Sequence, residues 1–205
     1  MASTATPYGF KAVNELGGLP YAGSTRQFLI DPAGYNTNIF NGSIVRINAN
    51  GYINIVLTTG ADDSANVFPA GTIGIFVGCT YTNAQGQIIY SQYYPANTAS
   101  VNGSSITAYV IDDDRAVFQV QANGSITQAE LGQNVFLSAV QSTSTGSTTT
   151  GNSTTSVSAT SQTATAAFRI VGFPQTVNNA VGDDYTEILV KFNPGYHSYS
   201  NAVGI

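Results

Sequence analysis

A chain of 205 residues with 42 % apolar residues is long enough to bury a core and fits one domain. Only 8 % of its residues are charged, against about 25 % in an ordinary soluble domain, while Ser and Thr fill 43 positions and Gly 21. Six Lys and Arg against eleven Asp and Glu leave a net charge of −5. That balance excludes nucleic-acid binding by phosphate neutralisation, and the charge is too sparse to hold the chain open by self-repulsion.

Residues 1–25 contain few core-grade side chains and several Gly and Pro, and they read as an extended N-terminal arm. They have neither the basic start nor the apolar stretch of a secretory signal. No run of the chain reaches the roughly 18 apolar residues of a spanning helix, so a soluble product is expected. Residues 26–205 read as a single β domain. Ile44–Ile47 and Tyr52–Leu57 flank Asn50-Gly51, which predicts a hairpin because Asn-Gly supplies the backbone angles of a tight turn. Ile53, Ile55 and Leu57 alternate there. From Ile73 to Tyr81 the residues Ile73, Ile75, Val77, Cys79 and Tyr81 are predicted to share one strand face. Cys79 is the only cysteine, so neither an intrachain disulfide nor a Cys-rich zinc site can form, and it reads as a small buried hydrophobe. Asn83–Gly86 joins this strand to Gln87–Tyr94 in a further hairpin. Ser105–Ile111 is apolar on both faces at its end and is expected to be a central strand. Val117–Gln121 and Ser125–Gln128 flank Asn123-Gly124 as another hairpin, with Phe118, Val120 and Ala122 on one face. Thr127–Leu131 offers about one helical turn, stopped by Gly132. Residues 141–165 contain 17 Ser or Thr among 25 and read either as a mobile loop or as a segment lying extended against a neighbouring subunit. Ile188, Val190 and Phe192 close the pattern. Short strands separated by Gly and Asn predict an all-β fold, an antiparallel β-barrel or β-sandwich.

Side chains able to do chemistry are few. His197 is the only histidine; it is expected at the surface or in the tail, since no nucleophile elbow accompanies it and one imidazole cannot build a metal site. Asp112, Asp113 and Asp114 form the sharpest charge cluster, an acidic turn or a Ca²⁺ site, with Arg115 placed to offset part of the repulsion. Asp62-Asp63 and Asp183-Asp184 are lesser pairs. Glu15, Glu130 and Glu187 stand apart in sequence, which does not favour a glycosidase pair. The sequons at Asn41, Asn102, Asn123 and Asn152 read as turns. Tyr81, Tyr90, Tyr93 and Tyr94 cluster locally, either as cross-strand aromatic pairs or as a surface on which sugars stack. No catalytic, cofactor-binding or metal residue, small-molecule substrate or membrane segment is expected.

Pro7–Lys11, Leu16–Gly18, Ile39–Gly42, Gly74–Tyr81, Gln92–Pro95, Leu131–Asn134, Phe168–Gly172 and Gly204-Ile205 together resemble the small structural proteins of tailed bacteriophages of the aquatic and cyanobacterial type. The most specific part is Ala108–Asp113 followed by Ala116–Gln121. Asp114 departs from that pattern, where such sequences often have Pro, and so does the Ser/Thr richness of 141–165. The resemblance implies a capsid cement or decoration protein, a homotrimer on the outer surface of the virion that bridges subunits of the major capsid protein, with no catalytic residues and no cofactor. The rival function is a receptor- or carbohydrate-binding module of a fibre or tail.

Overall fold

A computed structural model describes residues 4–15, 18–57, 71–161, 163, 166–174 and 176–204. The strands are β1 (Lys11–Glu15), β2 (Arg26–Ile30), β3 (Ile44–Ile47), β4 (Ile53–Ile55), β5 (Thr72–Thr82), β6 (Ile88–Ser91), β7 (Ile106–Ile111), β8 (Ala116–Gln121), β9 (Asn134–Val135), β10 (Phe168–Gly172) and β11 (Glu187–Phe192). They form two sheets in which every pairing is antiparallel. One has five strands in the order β1-β8-β11-β10-β9; the other has six, β2-β7-β5-β3-β4, with β6 beside the distal half of β5. Both sheets are open, so of the two all-β architectures the protein is the sandwich.

The sheets meet over Phe118, Val120, Ile188, Val190, Phe168 and Phe192 on one side and Ile44, Ile75 and Ile111 on the other. Full burial of each such side chain is worth about 2 kcal/mol. Four phenylalanines lock the centre: Phe10 stacks on Phe168 at 4.8 Å, and Phe118 meets Phe192 edge-on at 5.9 Å. A second cluster lies on the far side of the six-stranded sheet, where Ile39 and Tyr94 cover Val45, Ile53, Phe76, Cys79, Ala108 and Val110. That sheet is therefore buried on both faces along much of its length, which is why the strand ending in Val110 and Ile111 is apolar on both sides and lies between β2 and β5.

The predicted single face of β5 is split. Ile75 packs into the intersheet core, but Ile73, Phe76 and Cys79 pack on the opposite side. The register slips beside Gly74 and again before Gly78, and each bulge reverses the alternation. Both glycines hold positive φ, +142° and +149°. Leu57 likewise leaves the expected alternation, because β4 ends at Ile55 and Leu57 is exposed. The hairpins β3–β4 and β5–β6 form as expected, and one device shapes both turns. The side-chain oxygen of Asn48 accepts from the backbone N–H of Asn50 and Tyr52, and that of Asn83 from Gln85 and Gln87. The hairpin expected after β8 does not form. Ser125–Gln128 pairs with nothing in β8; Ile126 is buried and its N–H donates to the Thr186 hydroxyl, while β11 takes the place beside β8. The single helical turn is present as a 3-10 turn at Gln128–Glu130, closed by the Glu130 carboxylate accepting from the Thr127 N–H.

The stretch 1–25 is not a free arm where it is described. Residues 11–15 are an edge strand of the five-stranded sheet, and Phe10 is buried in the core. Where it is described, the Ser/Thr-rich stretch is an irregular strap fastened along its own sandwich. Gln141 is fully buried; its oxygen accepts from the Ile44 N–H, and its nitrogen donates to the carbonyls of Ile44 and Val56. Gly146 lies against the Phe40 ring, Ser153 N–H donates to the Asn41 carbonyl, and Val157 bridges both Ala122 and Leu137.

Candidate functional site

A cleft of about 560 Å³ opens beside β1. Two residues beyond Gln119 on β8, Gln121 fixes the start of the chain: its side-chain oxygen accepts from Thr6 N–H at 2.9 Å and its nitrogen donates to the Thr4 carbonyl at 3.0 Å, pinning residues 4–6 across β8. Gly9, at φ +80°, turns the chain inward so that Phe10 enters the core. The cleft then lies between Tyr8, Gln119 and Glu187 on one side and Val77 and Ile111 on the other. Gln119 Nε2 donates to Glu187 Oε2 at 2.6 Å. Burial pushes the Tyr8 hydroxyl above its usual range, and the Glu187 charge adds to the shift, so Tyr8 stays a neutral donor. Glu187 is the one carboxylate in the lining and Lys11 the one ammonium. Glycoside hydrolysis by an acid pair needs two carboxylates facing one bond, and this cleft supplies one. Its walls fit binding by hydrogen bonds and apolar contact.

The residues singled out by sequence take other places. Asp112, Asp113 and Asp114 do not converge on a cation position, and no group of three metal-ligating side chains occurs among the described residues. Asp112 Oδ2 instead pairs with Arg26 Nη2 at 2.6 Å and accepts from the Tyr199 hydroxyl at 2.8 Å. The compensating cation is therefore Arg26, whose guanidinium also lies over the Tyr199 ring at 5.2 Å, and not the adjacent Arg115. Asp113 caps its own turn by accepting from the Arg115 N–H. His197 is not at the surface: it is 1 % exposed, its Nδ1 accepts from the Tyr199 N–H, and its ring meets Phe192 and Tyr199. Burial holds its imidazole below the usual range, with Asp114, Asp112 and Asp113 pulling the other way. Cys79 is buried as expected, and burial pushes its thiol up to about 12. Asp62-Asp63 lies outside the described residues.

The tyrosine cluster disperses. Tyr94 is wholly buried, its hydroxyl donating to the Thr98 carbonyl at 2.7 Å and accepting from Tyr35 N–H at 2.9 Å. Tyr93 stacks on Phe40, Tyr81 packs on the second core cluster, and Tyr90 alone stands out, 78 % exposed. Tyr90 belongs to a feature the sequence reading missed. Beyond the bulge at Gly78, Tyr90 pairs with Thr80, Thr80 with Thr107, and Thr107 with Leu29, in one row across β6, β5, β7 and β2. Phe28, Ala108 and Cys79 point into the second core cluster, so this row points the other way. Leu29 and Ile88, the latter also on β6, are 48 % and 66 % exposed. The six-stranded sheet thus carries a bare face past the end of its partner sheet. The sequence signal for it is the period-2 spacing of Ile88 with Tyr90 on β6.

No family model, curated protein or solved structure gives a significant match to this chain.

Proposed function

We propose that the protein is a non-enzymatic structural component of a virion, a cement or decoration protein that binds the major capsid protein and stabilises the head lattice as a homotrimer on its outer surface. The observation that carries this reading is an exterior poor in charge, with its Ser/Thr-rich strap hydrogen-bonded to the sandwich. The chain has 17 charged residues in 205, and its Ser/Thr-rich strap is fastened to the body through Gln141, Ser153 and Val157. Hydroxyl and amide surface can exchange water for a neighbour's hydrogen bonds, whereas buried charge must be paired at a cost. A rigid partner also loses little conformational entropy on docking. Binding only the assembled lattice stabilises it by mass action, repeated at every copy. The experiment is to strip the protein from particles, add it back and measure rupture under heat or osmotic shock. Restored resistance is expected; particles equally fragile with and without it would refute the role.

The exposed ring of Tyr90 favours the second reading, a carbohydrate-binding module. It requires saccharide binding on a glycan array that disappears in Tyr90→Ala. Tyr94→Ala is no test of sugar binding, because Tyr94 is core.

A further inference from the structure

We infer that Asn102-Gly103 is the place where this chain modifies itself: the Asn102 side-chain amide is lost there, and aspartate and isoaspartate take its place. The inference is independent of the structural-protein reading above. In an Asn-Gly pair the Gly backbone nitrogen, its proton taken by a solvent base, can attack Cγ of the Asn. The N–Cγ bond forms as the Cγ–Nδ2 bond breaks, and ammonia leaves carrying a proton from water. Water then opens the cyclic imide at one of its two carbonyls. Opening at the side-chain carbonyl gives aspartate, and opening at the main-chain carbonyl gives isoaspartate. Gly favours the first step because no Cβ shields its nitrogen and its backbone turns freely.

The chain holds four such pairs, and the structure separates them. At Asn41-Gly42 the Gly42 N–H donates to the Phe76 carbonyl at 2.8 Å, and Gly42 is buried. At Asn50-Gly51 both residues are exposed, but Gly51 is the last residue of its turn and its N–H donates to the Asn48 carbonyl at 2.9 Å. At Asn123-Gly124 the Asn is the part held: Asn123 Oδ1 accepts from the Ala159 N–H at 2.7 Å, and the Asn123 N–H donates to the Val157 carbonyl at 2.9 Å. A nitrogen that donates a hydrogen bond in the fold, or a side-chain amide that accepts one, reacts only after a local opening. Asn102-Gly103 has neither restraint. Its turn is closed by the Ser104 N–H donating to the Val101 carbonyl at 3.0 Å, a bond that spans the pair. The Gly103 N–H and the Asn102 side chain are left without a hydrogen-bond partner among the described residues. Both residues are exposed, both lie at positive φ, +52° and +73°, and a Cβ at Gly103 would meet nothing within 4 Å. The imide can therefore close without displacing a neighbour.

Either product adds a carboxylate to a protein whose net charge is −5. Isoaspartate also lengthens the main chain by one carbon, inside the turn that leads into β7. That turn lies outside both sheets, so the sandwich is expected to keep its fold while its surface gains charge.

The experiment is to hold the full chain, folded, in mildly alkaline buffer over a time course and to map its peptides by tandem mass spectrometry. Amide-to-acid conversion is scored at each of the four Asn-Gly pairs. The same chain in denaturant is the reference, in which all of them are expected to convert at similar rates. In the folded chain Asn102 is expected to stay near its reference rate, while Asn41, Asn50 and Asn123 convert at least roughly tenfold more slowly. A second readout is Asn102→Gln, whose longer side chain would have to close a larger, slower-forming ring. It is expected to lose most of the acidic species that ion exchange resolves from aged wild type. Conversion at any other pair as fast as at Asn102 in the folded chain overturns the inference, and so does an Asn102 that stays intact while the denatured chain converts. Acidic species that persist undiminished in Asn102→Gln overturn it too. The wild-type map needs no substitution, so it decides the matter even where the variant folds poorly.

Discussion

At Gly74 the six-stranded sheet changes which side of β5 faces the intersheet core, and the backbone leaves no room for a side chain. Its φ is +142°, and a Cβ there would collide with the Ile111 carbonyl oxygen across the pairing to β7. Gly74→Ala is expected to cost about 3 kcal/mol, lowering Tm by about 10 °C, as calorimetry would measure. Gly51→Ala is the control: its Cβ would meet nothing within 4 Å, so only the strain of positive φ remains and the loss should be smaller. His197 gives the molecule an acid sensitivity. Its imidazole pKa is lowered by burial, so the unfolded chain takes up the proton more readily than the folded one. The stabilisation is then complete above the ordinary imidazole value of about 6.5, and it is lost as pH falls through that value toward the folded one. Denaturant midpoints measured from pH 7.5 to 5 should fall for the wild type. The fall should be shallower in His197→Gln, which removes the titrating group.

Among the elements, the strap shows how much was legible in the sequence. Its composition marks 141–165 as exceptional, and composition carries no direction: 17 hydroxyl-bearing side chains suit a solvated loop, a docked arm or a fastened strap equally well. One amide decides it. Gln141 satisfies Ile44 N–H, Ile44 C=O and Val56 C=O from 97 and 85 residues away, and no local pattern encodes such partners. Gln141→Met keeps the volume and leaves those buried groups unpaired, so a loss of about 3 kcal/mol is expected. Limited proteolysis should then cut first between 142 and 150, and an unchanged cleavage pattern would show that the strap is held by other contacts. The alternation of Phe118 with Val120 and of Ile188, Val190 and Phe192 was readable because those strands run without a bulge on the core side. The alternation of β5 was not, because Gly74 and Gly78 look like ordinary small residues until the register is seen. The cleft beside β1 was equally hidden. Tyr8, Gln119 and Glu187 meet only after strands from opposite ends of the chain pair.

For the whole molecule, the N-terminal stretch is a structural member, and this can be checked directly. Phe10 is 3 % exposed, stacks on Phe168 and meets Phe118 edge-on. Phe10→Ala is expected to destabilise the whole sandwich by about 3–5 kcal/mol in equilibrium unfolding. A freely extended arm would predict almost no change. The same stretch supplies β1, which covers one edge of the five-stranded sheet and so limits pairing of β8 with foreign strands. The opposite sheet carries its uncharged exposed face at the far end of β5. The molecule therefore sets its own first strand at the margin of one sheet, in the place beside β8.

The pairing of β1 with β8 has a consequence for synthesis. Lys11 opposes Gln119 and Glu15 opposes Ala116, so the first strand made waits for a partner that comes about a hundred residues later. At ~5–20 residues per second on a ribosome, that interval lasts roughly 5–20 s. Throughout it, Phe10 and the β1 backbone groups that pair with β8 are without their native neighbours, so the nascent chain is open to premature pairing with its siblings.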